Sequence, residues 1–297
     1  MAGRSAGEGR TSRAQVALIT VHGMGETPPN YADALMESVR TRLGALAGQA
    51  VMRSVYYQKI LQDNQQLVWD RTRSQSTVRY DDLRKFVLYG FGDAAGLENR
   101  KEIPGSVYEL AQGEIARALM SAHAVRPGMP VVFLAQSLGC QVLSSYIYDA
   151  QKAGAGKPVG AGIWRNIDAW AQQAYGRALT ASERGFIGAG TCAGLITTGC
   201  NIPIFVAAHK EMHIIPIAPP TALFKWVNYY DPDDALGWPL QPLSGGYRAL
   251  VEDRVINAND GVLGMMLKSW NPLSHNLYWQ DDTVLDAIAA MLRRLAA

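Results

Sequence analysis

Residues 131–148 read VVFLAQSLGCQVLSSYIY. Five apolar residues in succession, Val131 to Ala135, show no polar alternation, which fits a strand buried on both faces. The run stops, Ser137 follows, and a helical pattern begins at once through QVLSSYIYDAQ. A serine on so abrupt a strand-to-helix turn has its hydroxyl thrown clear of the sheet. Crowding in such a turn calls for small residues two before and two after the serine, and Ala135 and Gly139 supply them. The competing reading is that Ser137 merely caps the helix that follows, a common role for serine.

Working outward, the same alternation recurs. Upstream, the helical stretch SVYELAQGEIARALMSA (106–122) reaches the strand through the turn VRPGMP. Near the start, VALITV (16–21) is another unalternating run, followed by the turn HGMGETPP and a helix in which Ala34, Leu35, Val39 and Leu43 share one face. VMRSVYY (51–57) is a further strand, followed by a Gln-rich helical stretch to about Arg73; DDLRKFVLYGFGDAA (81–95) has no firm assignment. Downstream, AGLITTGCNIPIFVAA (193–208) and LFKWVNYY (223–230) read as buried strands. DTVLDAIAAMLRRL is a closing helix with Val284, Leu285, Ile288, Leu292 and Leu295 on one stripe. Strands alternating with helices predict an α/β fold with a mostly parallel central sheet and helices on both faces. The expected organisation is a disordered tail over 1–14 and one domain over 15–297. Within it a Gly-rich link (154–162) leads into a helical cap insertion at 155–190, where Thr180 and Glu183 are spaced as a capping box.

Composition narrows the function. The chain has 297 residues, 48% hydrophobic and 18% charged, with a net charge of +2. Arg4, Arg10 and Arg13 against Glu8 account for that surplus, so the body has no basic excess with which to hold a nucleic-acid backbone. Three cysteines without a C-x-x-C pair argue against a disulfide framework or a structural metal and for a reducing compartment, hence the cytoplasm. The opening residues lack the apolar run of a secretory signal, and the most membrane-like passage, 185–208, is broken by glycines and Pro203, so no transmembrane segment is expected. The sequence carries no signal of oligomeric state.

A serine needs a base, and the base an orienting carboxylate. Five histidines exist, at 22, 123, 209, 213 and 275. HKEMH (209–213) lacks the glutamate placement of HExxH and has no evident third ligand, so no metal is expected. The turn in WVNYYDPDDALGWPLQPL offers Asp231, Asp233 and Asp234. Asp231, before Pro232, reads as an Asx-turn former. The A-x-S-x-G form at 135–139 resembles that of some bacterial lipases of the α/β-hydrolase superfamily. HGMG (22–25) resembles the oxyanion motif of lipases and esterases, and TTGCNIP the T-x-G-S-P-x-P strand exit of many lipases. The acid turn is similar to the DPVAYRxEPL stretch of DDHD-type phospholipases, with QPL in place of EPL; the rest of those proteins has no counterpart here.

The resemblance implies an α/β-hydrolase fold and a serine esterase of lipase type. It places the nucleophile at Ser137, the acid at Asp234 (Asp231 and Asp233 being the alternatives) and the base at His275, in the loop before the last helix. Oxyanion donors would be the N–H groups of Met24 and Leu138, and His22 would be a buried structural imidazole. No cofactor is required. The substrate would be a small-molecule or lipid-like ester, a thioester or amide remaining open. Two other readings stand beside it. One is a hydrolase-fold protein that binds without catalysing. The other is an NAD(P)-dependent reductase suggested by Tyr148-x-x-x-Lys152; it meets Pro28 where a dinucleotide fingerprint needs its third glycine.

Overall fold

A computed structural model describes residues 14–209, 214–257 and 277–297. The unalternating runs form the middle of a six-stranded sheet. Its strands are β1 (Val16–Val21), β2 (Ala50–Val55), β3 (Val131–Gln136), β4 (Cys192–Thr198), β5 (Lys225–Tyr230) and β6 (Val251–Val255). They lie in the order β2-β1-β3-β4-β5-β6, and every pairing is parallel. The helices are α1 (Asp33–Leu43), α2 (Lys59–Gln75), α3 (Asp81–Glu98), α4 (Val107–Val125), α5 (Leu138–Gly154), α6 (Ile167–Tyr175), α7 (Ala181–Ile187), α8 (Ile202–Ala207), α9 (Gly245–Leu250) and α10 (Asp282–Ala296). The α/β fold read from the sequence, a parallel sheet with helices on both faces, is the one observed.

The apolar runs lack a polar face because both of their faces are covered. Val16 and Leu18 of β1, with Val132 and Leu134 of β3, pack against α1 and α10. The alternate residues Ala17, Ile19, Phe133 and Ala135 join the cluster built with α4 and α5. Successive strand side chains point to opposite faces, so a strand between two helical layers has no solvent-facing side to call for alternating polar residues.

One expectation is corrected and one unassigned strand is added. Ile202–Ala207 is helix α8 and does not continue the strand: β4 ends at Thr198, Gly199 takes φ 51°, and Pro203 sits in the first turn of the helix, where its missing N–H costs nothing. β6, sequence VEDRV, is a strand that the apolar pattern does not reveal, because it is the sheet edge and only Val251 is buried. The unassigned 81–95 stretch lies in α3, and the capping box at Thr180 and Glu183 is present in both directions.

The chain from 155 to 190 forms a 3-10 turn (Ile163–Asn166), α6 and α7. Trp164 and Trp170 are buried in it, and it packs on α4 and α5. Its aromatic residues serve the core beside those helices.

Candidate active site

Strand order places the site. The connection after β1 runs to β2 and the one after β3 runs to β4, in opposite directions along the sheet, so a crevice opens between the carboxyl ends of β1 and β3; in open α/β sheets ligands bind there. The residues that emerge at that point are His22 and Gly23 after β1 and Ser137 after β3. They line a cleft of about 720 Å³ whose further walls come from 24–42, α3 and the 279–285 segment. None of its lining residues comes from 155–190.

Ser137 occupies the turn between β3 and α5 at φ 51°, ψ −123°, a left-handed conformation that non-glycine residues rarely adopt. It stands at the N-cap position, yet its side chain makes no capping hydrogen bond. Among the described residues its buried Oγ has no partner at all. The capping reading of Ser137 therefore fails. The sequence requirement for small neighbours has a direct cause. A Cβ on Gly139 would lie 2.3 Å from the His22 carbonyl oxygen and 2.8 Å from that of Val21; one on Gly23 would lie 2.8 Å from Ser137 Cβ. Both glycines let the ends of β1 and β3 close on each other.

The elbow is fastened from β4. Ser137 N–H donates to the Thr198 carbonyl at 3.0 Å. The amide of fully buried Asn201, oriented so that both its groups are satisfied, donates to the Ser137 carbonyl at 2.9 Å and accepts from the Leu138 N–H at 3.3 Å. Asn201, in the TTGCNIP exit, is a residue whose role sequence reading missed. Its only signal was its place one strand over from the serine. Cys140 is buried beside the same strand, its Sγ 3.9 Å from the Thr198 carbonyl, and burial pushes its thiol well above the ordinary range.

His22 is a structural imidazole. Its Nδ1 lies 2.8 Å from the Gly23 carbonyl and its Nε2 accepts from the Tyr57 N–H at 3.2 Å. Its ring stacks on Tyr57 with centroids 4.1 Å apart. Desolvation lowers its pKa to about 4, so it stays neutral with both nitrogens engaged and has no lone pair to offer Ser137. Met24 lines the cleft. Among the described residues nothing accepts a hydrogen bond from its N–H.

The three aspartates after β5 differ. Asp233 is exposed, while Asp231 and Asp234 are buried. Asp231 Oδ1 accepts from the Asp233 N–H at 2.9 Å, closing the Asx turn expected at Asp-Pro. Asp234 Oδ1 accepts from the Leu236 N–H at 2.9 Å, and its Oδ2 accepts from the Tyr278 hydroxyl at 2.8 Å. The same Tyr278 oxygen accepts from the Asp231 N–H at 3.0 Å. Burial and the neighbouring Asp234 raise the Tyr278 pKa, so its proton stays in place for the carboxylate. A Cβ on Gly237 would lie 2.5 Å from Asp234 Oδ2, so only glycine fits there. Next along the chain, Trp279 Nε1 donates to Thr198 Oγ1 at 3.1 Å, and Thr198 is the residue that receives the Ser137 N–H. Tyr278 and Trp279 thus link the aspartate turn after β5 to the serine turn across β4. His275 lies outside the described residues, as does His213.

Other sequence candidates fall elsewhere. Tyr148, of the Tyr-x-x-x-Lys pattern, lines a separate cleft beside α5 and α8, with Lys152 Nζ 5.9 Å from its ring centre. Among the described residues no three His, Cys, Asp or Glu side chains gather as metal ligands would, and no helix is long and apolar enough to cross a membrane.

No family model matches the chain, and no curated protein matches it. Among solved structures it is similar to a cutinase-like protein from Cryptococcus sp., with TM-score 0.40 and 11% identity over 96% of this chain and 97% of that one. It is similar also to an acetyl xylan esterase in an iodinated complex, with TM-score 0.42 and 11% identity over 95% and 98% of the two chains. A third is an acetylxylan esterase solved at 0.90 Å, with TM-score 0.43 and 10% identity over 96% and 100%. Such identities assign no residue a role.

Proposed function

We propose that the protein is a serine hydrolase of carboxylic esters, with Ser137 as nucleophile, His275 as base and Asp234 as the orienting acid. The observation that carries the reading is the conformation of Ser137: a left-handed non-glycine residue at the switch point of the sheet, its hydroxyl bound to no described group. Such strain costs about 1–3 kcal/mol and persists where the surroundings hold it for a purpose. Asp234 is preferred over Asp233 because it is buried, and over Asp231, which likewise accepts from the N–H two residues on, because the Tyr278 hydroxyl also donates to the Asp234 carboxylate and orients it. The resemblance to the acid turn of DDHD-type phospholipases favours the same residue. The acid turn follows β5, two strands from β3, hence about 10 Å away at the usual ~4.8 Å strand spacing. One imidazole with a hydrogen bond at each nitrogen bridges a gap of that order.

In this reading Ser137 Oγ attacks the ester carbonyl carbon while His275 takes its proton, and Asp234 orients and stabilises the imidazolium. The Met24 N–H meets the oxyanion, and the Leu138 N–H joins it by exchanging its 3.3 Å bond to the Asn201 amide for the substrate oxygen. Collapse breaks the carbon–oxygen bond to the alcohol, which leaves with the proton from His275. Water, deprotonated by the same imidazole, then releases the acid and restores the serine. The cleft suits an uncharged acyl group. Met24, Leu35, Phe86 and Trp279 contribute apolar wall, and its cations are already paired, Lys85 with Glu26 at 2.6 Å and Arg42 with Asp286 at 2.8 Å. Three free, buried cysteines suit a reducing cytoplasm.

The test is intact-mass detection of a fluorophosphonate adduct, with p-nitrophenyl ester turnover alongside. Wild type is expected to take one adduct that Ser137→Ala abolishes, with turnover down at least about 10⁴-fold. A folded wild-type protein that neither labels nor hydrolyses overturns the reading in favour of a binding role.

A further inference from the structure

The loop after β1 is gripped from α3, a helix that has no part in the triad. On one side of Met24, Gly23 backs onto Ser137. On the other, the Gly25 N–H donates to Asp93 Oδ2 at 2.9 Å. Between them the Met24 side chain seats over Gly90, where a Cβ would lie 2.7 Å from Sδ. Residues 90 and 93 are three apart on α3 and so share a face, one holding the Met24 side chain and the other the peptide that follows it.

Asp93 is 2% exposed, and among the described residues its partners are N–H donors. Besides Gly25, Gln65 Nε2 donates to Oδ1 at 2.6 Å, and Gln58 Nε2 lies 3.2 Å from each oxygen. Among the described residues no cation pairs with it. A carboxylate buried without a counter-charge is costly, and its donors offset that cost only while all stay in place. The carboxylate therefore ties three segments together: the loop after β1, the start of α2 through Gln58 and Gln65, and α3. Lys85 extends the same contact along α3 to Glu26.

We infer that Asp93 is a positioning residue which, with Gly90, holds the Met24 peptide so that its N–H faces the oxyanion formed at Ser137. The inference rests on the esterase reading. Without the Asp93 carboxylate the buried Gly25 N–H loses its acceptor, and the loop is free to turn the Met24 N–H aside. Displacements of about 1 Å cost about 10²-fold in rate where a donor must meet a developing charge.

The experiment compares p-nitrophenyl butyrate with its thiono analogue, whose C=S sulfur is the weaker hydrogen-bond acceptor. First, wild type must take the fluorophosphonate and hydrolyse the oxoester; failure there overturns the esterase reading, and this inference with it. Given that activity, Asp93→Ala is expected to lower kcat for the oxoester about 10- to 100-fold with KM within about threefold. The preference for oxoester over thionoester should fall about tenfold. Partial unfolding scales both substrates alike and leaves that preference unmoved. Asp93→Asn, which keeps an acceptor for Gly25, should regain most of it. If Asp93→Ala does not fold, Asp93→Leu, which fills the same space without an acceptor for the Gly25 N–H, carries the same comparison. An unchanged oxoester preference in a folded variant overturns the assignment to Asp93 while leaving the esterase reading standing.

Discussion

Replacing Ser137 by glycine removes the strain of the elbow, and replacing it by alanine keeps that strain; neither variant has the hydroxyl. The pair therefore isolates the backbone. At φ 51°, ψ −123° a residue with a Cβ is held at a cost of about 1–3 kcal/mol, a cost that glycine escapes. Against this, glycine gives the unfolded chain more freedom, worth about 0.5–1 kcal/mol. The loss of one buried Cβ removes a further few tenths, since Gly23 approaches that carbon closely and has little room to relax. The balance is that Ser137→Gly is more stable than Ser137→Ala by about 1 kcal/mol, or roughly 2–4 °C in Tm. Urea unfolding and calorimetry of the two variants measure it. Equal stability, or alanine ahead of glycine, would refute the claim that the fold holds this residue in a strained turn.

Two further outcomes follow from the same turn. Gly139→Ala places a Cβ 2.3 Å from the His22 carbonyl oxygen, backbone that cannot step aside, and is expected to cost about 3 kcal/mol, read as a lower urea midpoint at unchanged m. His22, with its pKa lowered to about 4, is neutral in the fold, whereas the unfolded chain takes up a proton there near pH 6.5. Between those values the unfolded state binds the extra proton, so stability is full above about pH 6.5 and falls as the pH drops, by about 2.5 kcal/mol at about pH 4.5. His22→Gln should lack that share of the acid sensitivity; identical pH dependence in the two proteins would count against a buried neutral imidazole.

The sheet was legible because burial on both faces writes itself into sequence. VALITV and VVFLA, short, unalternating and bounded by turn residues, read as inner strands, and the pattern A-x-S-x-G marks the turn by its small residues, Gly139 being small because the Val21 and His22 carbonyls of the neighbouring strand end close on it. β6 was not legible, since an edge strand with one buried residue looks like a loop. Nor was α8: Pro203 and Gly199 redirect an apolar run that composition alone cannot tell from a strand.

What the sequence determined by itself is therefore local. It set the strand cores, the elbow, the Asx turn at Asp231 and the order of candidate groups along the chain. Tertiary structure decided what those groups face. It showed Ser137 to be no helix cap and the 155–190 helices to pack on α4 and α5. It also brought the Tyr278 hydroxyl, 44 residues away along the chain, to the Asp234 carboxylate, and Asp93, 68 residues away, to the Gly25 amide. Those pairings have no sequence period, because a hydrogen bond between distant segments depends on how two helical layers close over a sheet and not on the residues beside either partner.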